Sequence, residues 1–150
     1  MALLLAVLCV AGCGRGESEP AVSSPDEVAV QVVETWFGWH PQVDGDRNEA
    51  ARRAAPLLTD DLAAAVKGAP WMNPGWQWYE WAARGAAADV QVRASAEPLP
   101  ASDDSRAYRA YGVRVVMTGP GGPVGVWETT AHVVLERVDA EWRVSDVTLL

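Results

Sequence analysis

The sequence is poor in cysteine and histidine, and it lacks a long apolar run. Only Cys9 and Cys13 are present among 150 residues, too few for the disulfide framework that supports many small exported domains. The apolar run over residues 2–10 is too short to cross a bilayer as a helix, which takes about 20 residues. The histidines, His40 and His132, are far apart, and no cysteine or carboxylate stands at a spacing from them that would suggest a zinc site.

Basic residues are also scarce. Lys and Arg total 12 against 20 Asp and Glu, which gives a formal net charge of −8. This charge disfavours nucleic acid and anionic lipid headgroups as partners, because both would be repelled. Lys67 is the single lysine, and alanine is abundant; this composition is typical of a high-GC genome such as that of an actinobacterium.

The N-terminal residues have the organisation of an export and anchoring signal. The uncharged apolar run leads into Val10-Ala11-Gly12-Cys13, which small polar residues follow. This pattern resembles the lipobox of bacterial lipoproteins, in which a peptidase cuts before a lipid-carrying cysteine. The resemblance implies a signal peptide over residues 1–12, lipid attachment (palmitate and related acyl chains) at Cys13, and a tether over residues 13–23. The alternative is an ordinary secretory signal or a frayed apolar tail behind a misplaced start.

A lipid on Cys13 would fix the location of the protein. Two or more acyl chains, each contributing about 0.8 kcal/mol per buried CH₂, would hold the chain permanently on the outer face of the bacterial plasma membrane. The ten tether residues reach only about 17 Å. The domain would therefore sit close to the bilayer, which favours partners in or on the same membrane.

Residues 24–150 are expected to form one α+β domain. Ser24-Pro25-Asp26-Glu27 has the sequence of a capping box, and apolar residues at helical spacing follow it as far as Gly38. Shorter helical stretches come next, and period-two alternation then marks the strands. Helices followed by consecutive antiparallel strands predict N-terminal helices packed on one face of a curved sheet of about four strands.

Local signals define the strands. Tyr111, Val113, Val115 and Met117 would form one face of the second strand. Asp139-Ala140 predicts a tight turn between the last two strands. In the last strand the apolar residues change from one set of alternate positions to the other, which predicts a bulge near Ser145.

The order of elements and the closing Glu141-Trp142-Arg143-Val144 strand are similar to those of the nuclear transport factor two-like (ketosteroid-isomerase-like) family. The segment from Trp39 to Leu58 resembles extracytoplasmic actinobacterial members of that family through its Asp44-Gly45-Asp46 loop and its Ala50-Ala51-Arg52-Arg53-Ala54 helix. Those members include lipoproteins and proteins associated with conjugal transfer or mammalian-cell entry. The resemblance implies a cone-shaped fold with a cavity; the tyrosine–carboxylate arrangement of the isomerases has no residue-by-residue match here.

Asp44, Asp46 and Asn48 are spaced like the opening of a calcium loop. However, Glu49 occupies the position of the loop glycine, and Ala55 that of the bidentate glutamate. We therefore expect a solvated turn ahead of a helix, capped by Asp46 or Asn48. No metal and no cofactor is predicted.

Aromatic residues gather between positions 70 and 81 (PWMNPGWQWYEW). In a helix, Trp78 and Trp81 would lie about 60° apart, with Trp76 and Tyr79 on the opposite side; in a strand, Trp76 and Trp78 would oppose Tyr79 and Trp81. Either the segment is clamped on both sides, or one side stays open as a partner surface or the lip of an apolar pocket. The candidate partner or ligand surface is Trp71, Trp76, Trp78, Tyr79 and Trp81.

Three functions remain at this stage. The first is a non-enzymatic accessory domain, anchored to the membrane, that contacts an envelope protein assembly. The second is a lipoprotein that binds a small apolar ligand in the cone cavity, and the third is a pocket enzyme of the ketosteroid-isomerase-like class. No catalytic residue is assigned, because His132 and its neighbours Glu128 and Thr130 are expected to face solvent or a partner in a homodimer.

Overall fold

The protein is an α+β domain, as predicted. The computed structural model describes residues 23–150, so the predicted signal peptide and the predicted lipid site at Cys13 lie outside the described residues. No helix in the described part is long and apolar enough to span a membrane. The helices are α1 (Pro25–Phe37), α2 (Asn48–Arg53), a 3₁₀ turn (Ala55–Leu57), α3 (Asp60–Gly68) and α4 (Trp76–Ala83), and the strands are β1 (Ala87–Ala94), β2 (Arg106–Gly119), β3 (Gly122–Val138) and β4 (Glu141–Leu149).

The four strands form one curved, unclosed antiparallel sheet in the order β1-β2-β3-β4. The tight turn between β3 and β4 is confirmed: Asp139 and Ala140 both have positive φ, at 49° and 68°. The bulge is confirmed as well, because Val134 pairs with Asp146 while Leu135 pairs with Val144, which leaves Ser145 as the extra residue.

Helix α1 begins at the predicted capping box. The Ser24 hydroxyl accepts a hydrogen bond from the Glu27 N–H at 3.2 Å, and the Glu27 carboxylate accepts one from the Ser24 N–H at 2.7 Å. The buried face of the helix packs on the sheet and consists of Val28, Ala29, Val32, Val33 and Phe37. This apolar stripe, rather than helix propensity alone, holds α1 in place.

Helix α1 runs along β2 in the same direction. Near its start, an Asp26 carboxylate oxygen lies 2.6 Å from Arg109 Nε, and at its end the Phe37 ring lies 5.3 Å from the Trp127 ring. Trp127 pairs with Val115, six residues further along β2 than Arg109. The C-terminal end of α1 therefore lies toward the β2–β3 turn.

Candidate functional site

Burial divides the aromatic residues of α4 into two sets. Trp78 and Trp81 are 2% and 5% exposed, whereas Trp76 and Tyr79 are 72% and 55% exposed. The helical alternative is thus the one adopted, and its angular spacing sends the two sets in opposite directions. Trp78 and Trp81 belong to the core, so their assignment to the candidate surface is corrected.

The buried set packs around Trp39, which follows α1. The Trp39 ring stacks on Trp81 with centroids 6.5 Å apart, and Trp78 meets it edge-on at 6.2 Å. Trp81 also lies on β3 at Gly125, where an added Cβ would come within 2.8 Å of the indole Nε1. A glycine at this position lets the large ring approach the strand, which seats α4 firmly on the sheet.

Arg47 covers the outer side of this cluster. Its guanidinium carbon lies 5.1 Å from the centroid of Trp39 and 5.9 Å from that of Trp78, within the range of a cation–π contact. Burial lowers the pKa of Arg47 from its usual high value. The residue is nevertheless exposed, so the guanidinium packs on the two rings while it keeps its charge at the surface.

The exposed set extends beyond α4. Trp71 and Met72, in the irregular segment before the helix, are each 61% exposed. Together with Trp76 and Tyr79 they form what we call the aromatic surface. Large apolar side chains scattered singly on a protein surface need no explanation, but four of them within nine residues make this the candidate interaction surface.

Hydrogen bonds from neighbouring elements hold the segment that carries Trp71 and Met72. The Asn48 side chain donates to the Pro70 carbonyl at 3.2 Å, and Arg52 donates to the Ala69 carbonyl at 3.1 Å. The Trp71 indole N–H lies 3.4 Å from the Gly45 carbonyl. The aromatic surface is consequently attached to the rest of the domain by directed bonds.

Two buried carboxylates organise the loop behind that segment. Asp46 accepts hydrogen bonds from the Asn48 N–H at 2.9 Å and from the Met72 N–H at 3.1 Å. Asp44 accepts one from the His40 N–H at 2.7 Å and pairs with Arg53 at 2.5 Å. The expectation of a solvated turn is wrong here, because both aspartates are buried and their oxygens bind donors of the protein.

The other predicted polar residues lie elsewhere. His132 is on the outer face of the sheet, with its Nε2 2.6 Å from a carboxylate oxygen of Glu97. A groove of about 490 Å³ opens on the same face above Gly112, with Arg93 and Arg114 along its sides. The His132–Glu97 pair and the groove are both remote from the aromatic surface, because α4 packs on the opposite face of the sheet.

Tyr111 is the buried polar group that stands out in the core. Its hydroxyl has no hydrogen-bond partner among the described residues, and burial raises its pKa. The nearby Asp26 carboxylate raises this pKa further, and Arg109 lowers it.

This framework has only a weak signal in the sequence. Met72 has none, because a lone methionine belongs to no recognisable pattern. The burial of Asp44 and Asp46 could have been suspected from Arg52 and Arg53 in the following helix, which provide cations for a buried carboxylate.

No protein-family model and no curated protein matches this sequence. Among solved structures, the chain is similar to the crystal structure of the intermembrane space region of the chloroplast protein ARC6. The TM-score is 0.42 with 15% sequence identity, over 81% of this chain and 93% of that one. A similarity at this level supports no conclusion about function, which rests instead on the geometry of the aromatic surface.

Proposed function

We propose that this chain is a non-enzymatic binding domain that docks a protein of an envelope assembly through the aromatic surface. The domain would be held on the outer face of a bacterial plasma membrane by lipid on Cys13. The observation that carries the proposal is the aromatic surface itself: Trp71, Met72, Trp76 and Tyr79 are each more than half exposed, although the segment that bears them is tightly bonded to the domain.

The residue types of the aromatic surface and the ordered helix that carries part of it both support docking. Tryptophan, tyrosine and methionine are enriched at the cores of protein interfaces, where a few such residues supply most of the affinity. Trp76 and Tyr79 stand on a helix that Trp78 and Trp81 anchor in the core. Because the helix is already ordered, binding would cost little additional backbone entropy.

The anchor is proposed from the sequence. The lipobox-like Val10-Ala11-Gly12-Cys13 supports export and acylation, and the resemblance to extracytoplasmic members of the nuclear transport factor two-like family supports the same location. This family assignment is part of the proposal. The α+β architecture of helices on a curved antiparallel sheet is compatible with it.

The alternatives have less support from the described residues. An apolar ligand would need space between the helices and the sheet, but near α4 that region holds the packed rings of Phe37, Trp39, Trp78, Trp81 and Trp127. An enzyme would need a desolvated acid or base. Asp44 and Asp46 are bonded within the protein, and His132 pairs with Glu97 outside the core.

Two experiments test the proposal. Growth with an alkyne-bearing fatty acid should label the wild-type protein and not Cys13→Ala; an unlabelled, water-soluble wild type would refute the anchor. For docking, the Trp76→Ala/Tyr79→Ala variant should lose the proteins that co-purify with the wild type. Val126→Ala is the matched control, because Val126 is 51% exposed on the opposite face of the sheet. If the same partner proteins co-purify in equal amounts with the wild type, the Trp76→Ala/Tyr79→Ala variant and the Val126→Ala control, docking at the aromatic surface is refuted.

A further inference from the structure

The aromatic surface carries no dominant charge. Between Gly68 and Gly85 the sequence contains two charged residues, Glu80 and Arg84, and their side chains pair at 2.6 Å. In the neighbouring loop and α2, Asp44 pairs with Arg53 at 2.5 Å and Glu49 with Arg52 at 2.6 Å. The remaining charges there are the buried Asp46 and the exposed Arg47, which balance in sign. In a chain of net charge −8, this locally balanced surface matches an uncharged partner better than an acidic or a basic one.

The aromatic surface and the point where the chain enters the domain are at opposite ends of α1. Ser24 caps the start of the helix beside Arg109 of β2, whereas Trp39 beyond its end contacts Trp78 and Trp81 of α4. The 13 residues of α1 span about 20 Å. A lipid at Cys13 would therefore be attached to the end of the domain that lies away from the aromatic surface.

The bilayer fits this surface poorly. Helical faces that lie in the membrane interface combine aromatic residues with lysine and arginine, which bind anionic headgroups. Here Arg84, the single arginine between Gly68 and Gly85, is paired with Glu80, and Arg47 is the one further arginine of the described residues that lies beside Met72. The chain as a whole would be repelled by anionic lipid. With lipid on Cys13, as proposed, a tether with a reach of about 17 Å would bring the entry end closer to the membrane than the aromatic end.

Resting on the proposed function, we infer that the occupant of the aromatic surface is an uncharged apolar segment of another protein, bound at the end of the domain that points away from the bilayer. The inference specifies the chemistry of the partner and the side from which it approaches. Its binding should depend only weakly on salt, because the ion pairs of Glu80, Glu49 and Asp44 leave little free charge to screen. Arg47, which lies beside Met72, is exposed and has no ion pair of its own within the part of the chain that the structure describes.

The first test distinguishes protein from lipid. Full-length acylated protein is reconstituted in phosphatidylcholine–phosphatidylglycerol vesicles whose acyl chains carry bromine, and the emission of Trp71 and Trp76 is obtained by difference from a Trp71→Phe/Trp76→Phe variant. Aqueous acrylamide should quench this emission and brominated lipid should not. Quenching by the lipid would identify the bilayer as the occupant and overturn the inference.

The second test identifies the segment of the partner that contacts the aromatic surface and whether that segment is charged. A photoreactive amino acid replaces Trp76 in one strain and Val126 in a control strain, and cross-linked peptides are identified by mass spectrometry. The Trp76 position should capture an apolar segment of another protein, with a yield unchanged within about twofold when sodium chloride is raised. A charged segment, a second copy of this chain, or a several-fold loss of yield with salt would overturn the inference. Equal capture at Trp76 and Val126 would instead refute the proposed function.

Discussion

The carboxylate of Asp46 accepts a hydrogen bond from the backbone N–H of Met72 at 3.1 Å, across 26 residues of sequence. This bond joins the loop before α2 to the irregular segment that carries half of the aromatic surface. An irregular segment satisfies its backbone groups only where side chains or water reach them. Asp46 does so from a buried position, which explains how Trp71 and Met72 can be exposed without being loosely attached.

Replacing Asp46 should therefore loosen the site and destabilise the fold. Asp46→Ala removes the acceptor of two backbone N–H groups, and we expect the free energy of unfolding to fall by about 2–3 kcal/mol. Asp46→Asn keeps one acceptor oxygen, so its free energy of unfolding should fall by less. Urea unfolding measures both effects, and Asp104→Ala, at an exposed loop position, is the control. A similar loss in Asp104→Ala and Asp46→Ala would contradict this role.

The two faces of α4 should respond differently to truncation. Trp78→Ala opens a cavity in the core and should cost about 3–5 kcal/mol. Trp76→Ala changes an exposed position and should alter stability by no more than about 0.5 kcal/mol. Thermal and urea unfolding of the two variants measure the contrast. Comparable losses would mean that Trp76 is not solvent-facing in solution.

Gly125 should be intolerant of a side chain. A methyl group there would lie 2.8 Å from Trp81 Nε1, so Gly125→Ala should push the indole away from β3 and cost about 1–3 kcal/mol. Gly121→Ala is the control, since nothing lies within 4 Å of the position of its Cβ. Near-ultraviolet circular dichroism should also change in the Gly125 variant alone. An unchanged spectrum together with unchanged stability would argue against the close packing of Trp81 on the strand.

Glycine at position 140 should stabilise the β3–β4 turn. Ala140 has a φ of 68°, which costs an L-residue about 1 kcal/mol. Ala140→Gly removes that strain but gains flexibility in the unfolded chain, so a net stabilisation of about 0.5 kcal/mol is expected. Ala140→Val should destabilise, because a β-branched side chain tolerates this φ poorly. The opposite order of midpoints in urea would rule out the left-handed turn.

The ion pair between Asp26 and Arg109 should contribute a stability that is lost in acid. The hydrogen bond from the Arg109 side chain lowers the pKa of Asp26 in the folded state. The contribution is therefore fully present above the unfolded pKa of about 4, and it disappears as the pH falls through the lower folded value.

The pH prediction is tested by comparing wild type with Asp26→Asn. The wild type should have the higher urea midpoint at neutral pH, and the difference should shrink as the pH is lowered below about 4. Asp89→Asn, at an exposed position of β1, should show little difference from wild type at any pH. A difference between wild type and Asp26→Asn that grows in acid would contradict the assigned direction.

The elements with local signals could be predicted. Ser24 and Glu27 are three residues apart, and their capping of α1 depends on no residue that is remote in sequence. Asp139-Ala140 and the parity switch at Ser145 depend on neighbouring residues as well, and both were confirmed. The framework of Asp44 and Asp46 was missed because its decisive partner, the Met72 N–H, is remote in sequence and a backbone group carries no sequence signal.

The sequence by itself determined the α+β class, the capping of α1, the strand faces and the turns, since each depends on residues within one or two turns of chain. It also determined that four aromatic rings of the α4 segment must point in two directions, because helical spacing fixes their angles. Only the tertiary structure decided which pair is buried. Trp39, just after α1, and Gly125 of β3 together form the complementary surface on which Trp78 and Trp81 pack. No neighbouring element of the described chain covers Trp76 and Tyr79 to the same degree, so their rings remain on the surface.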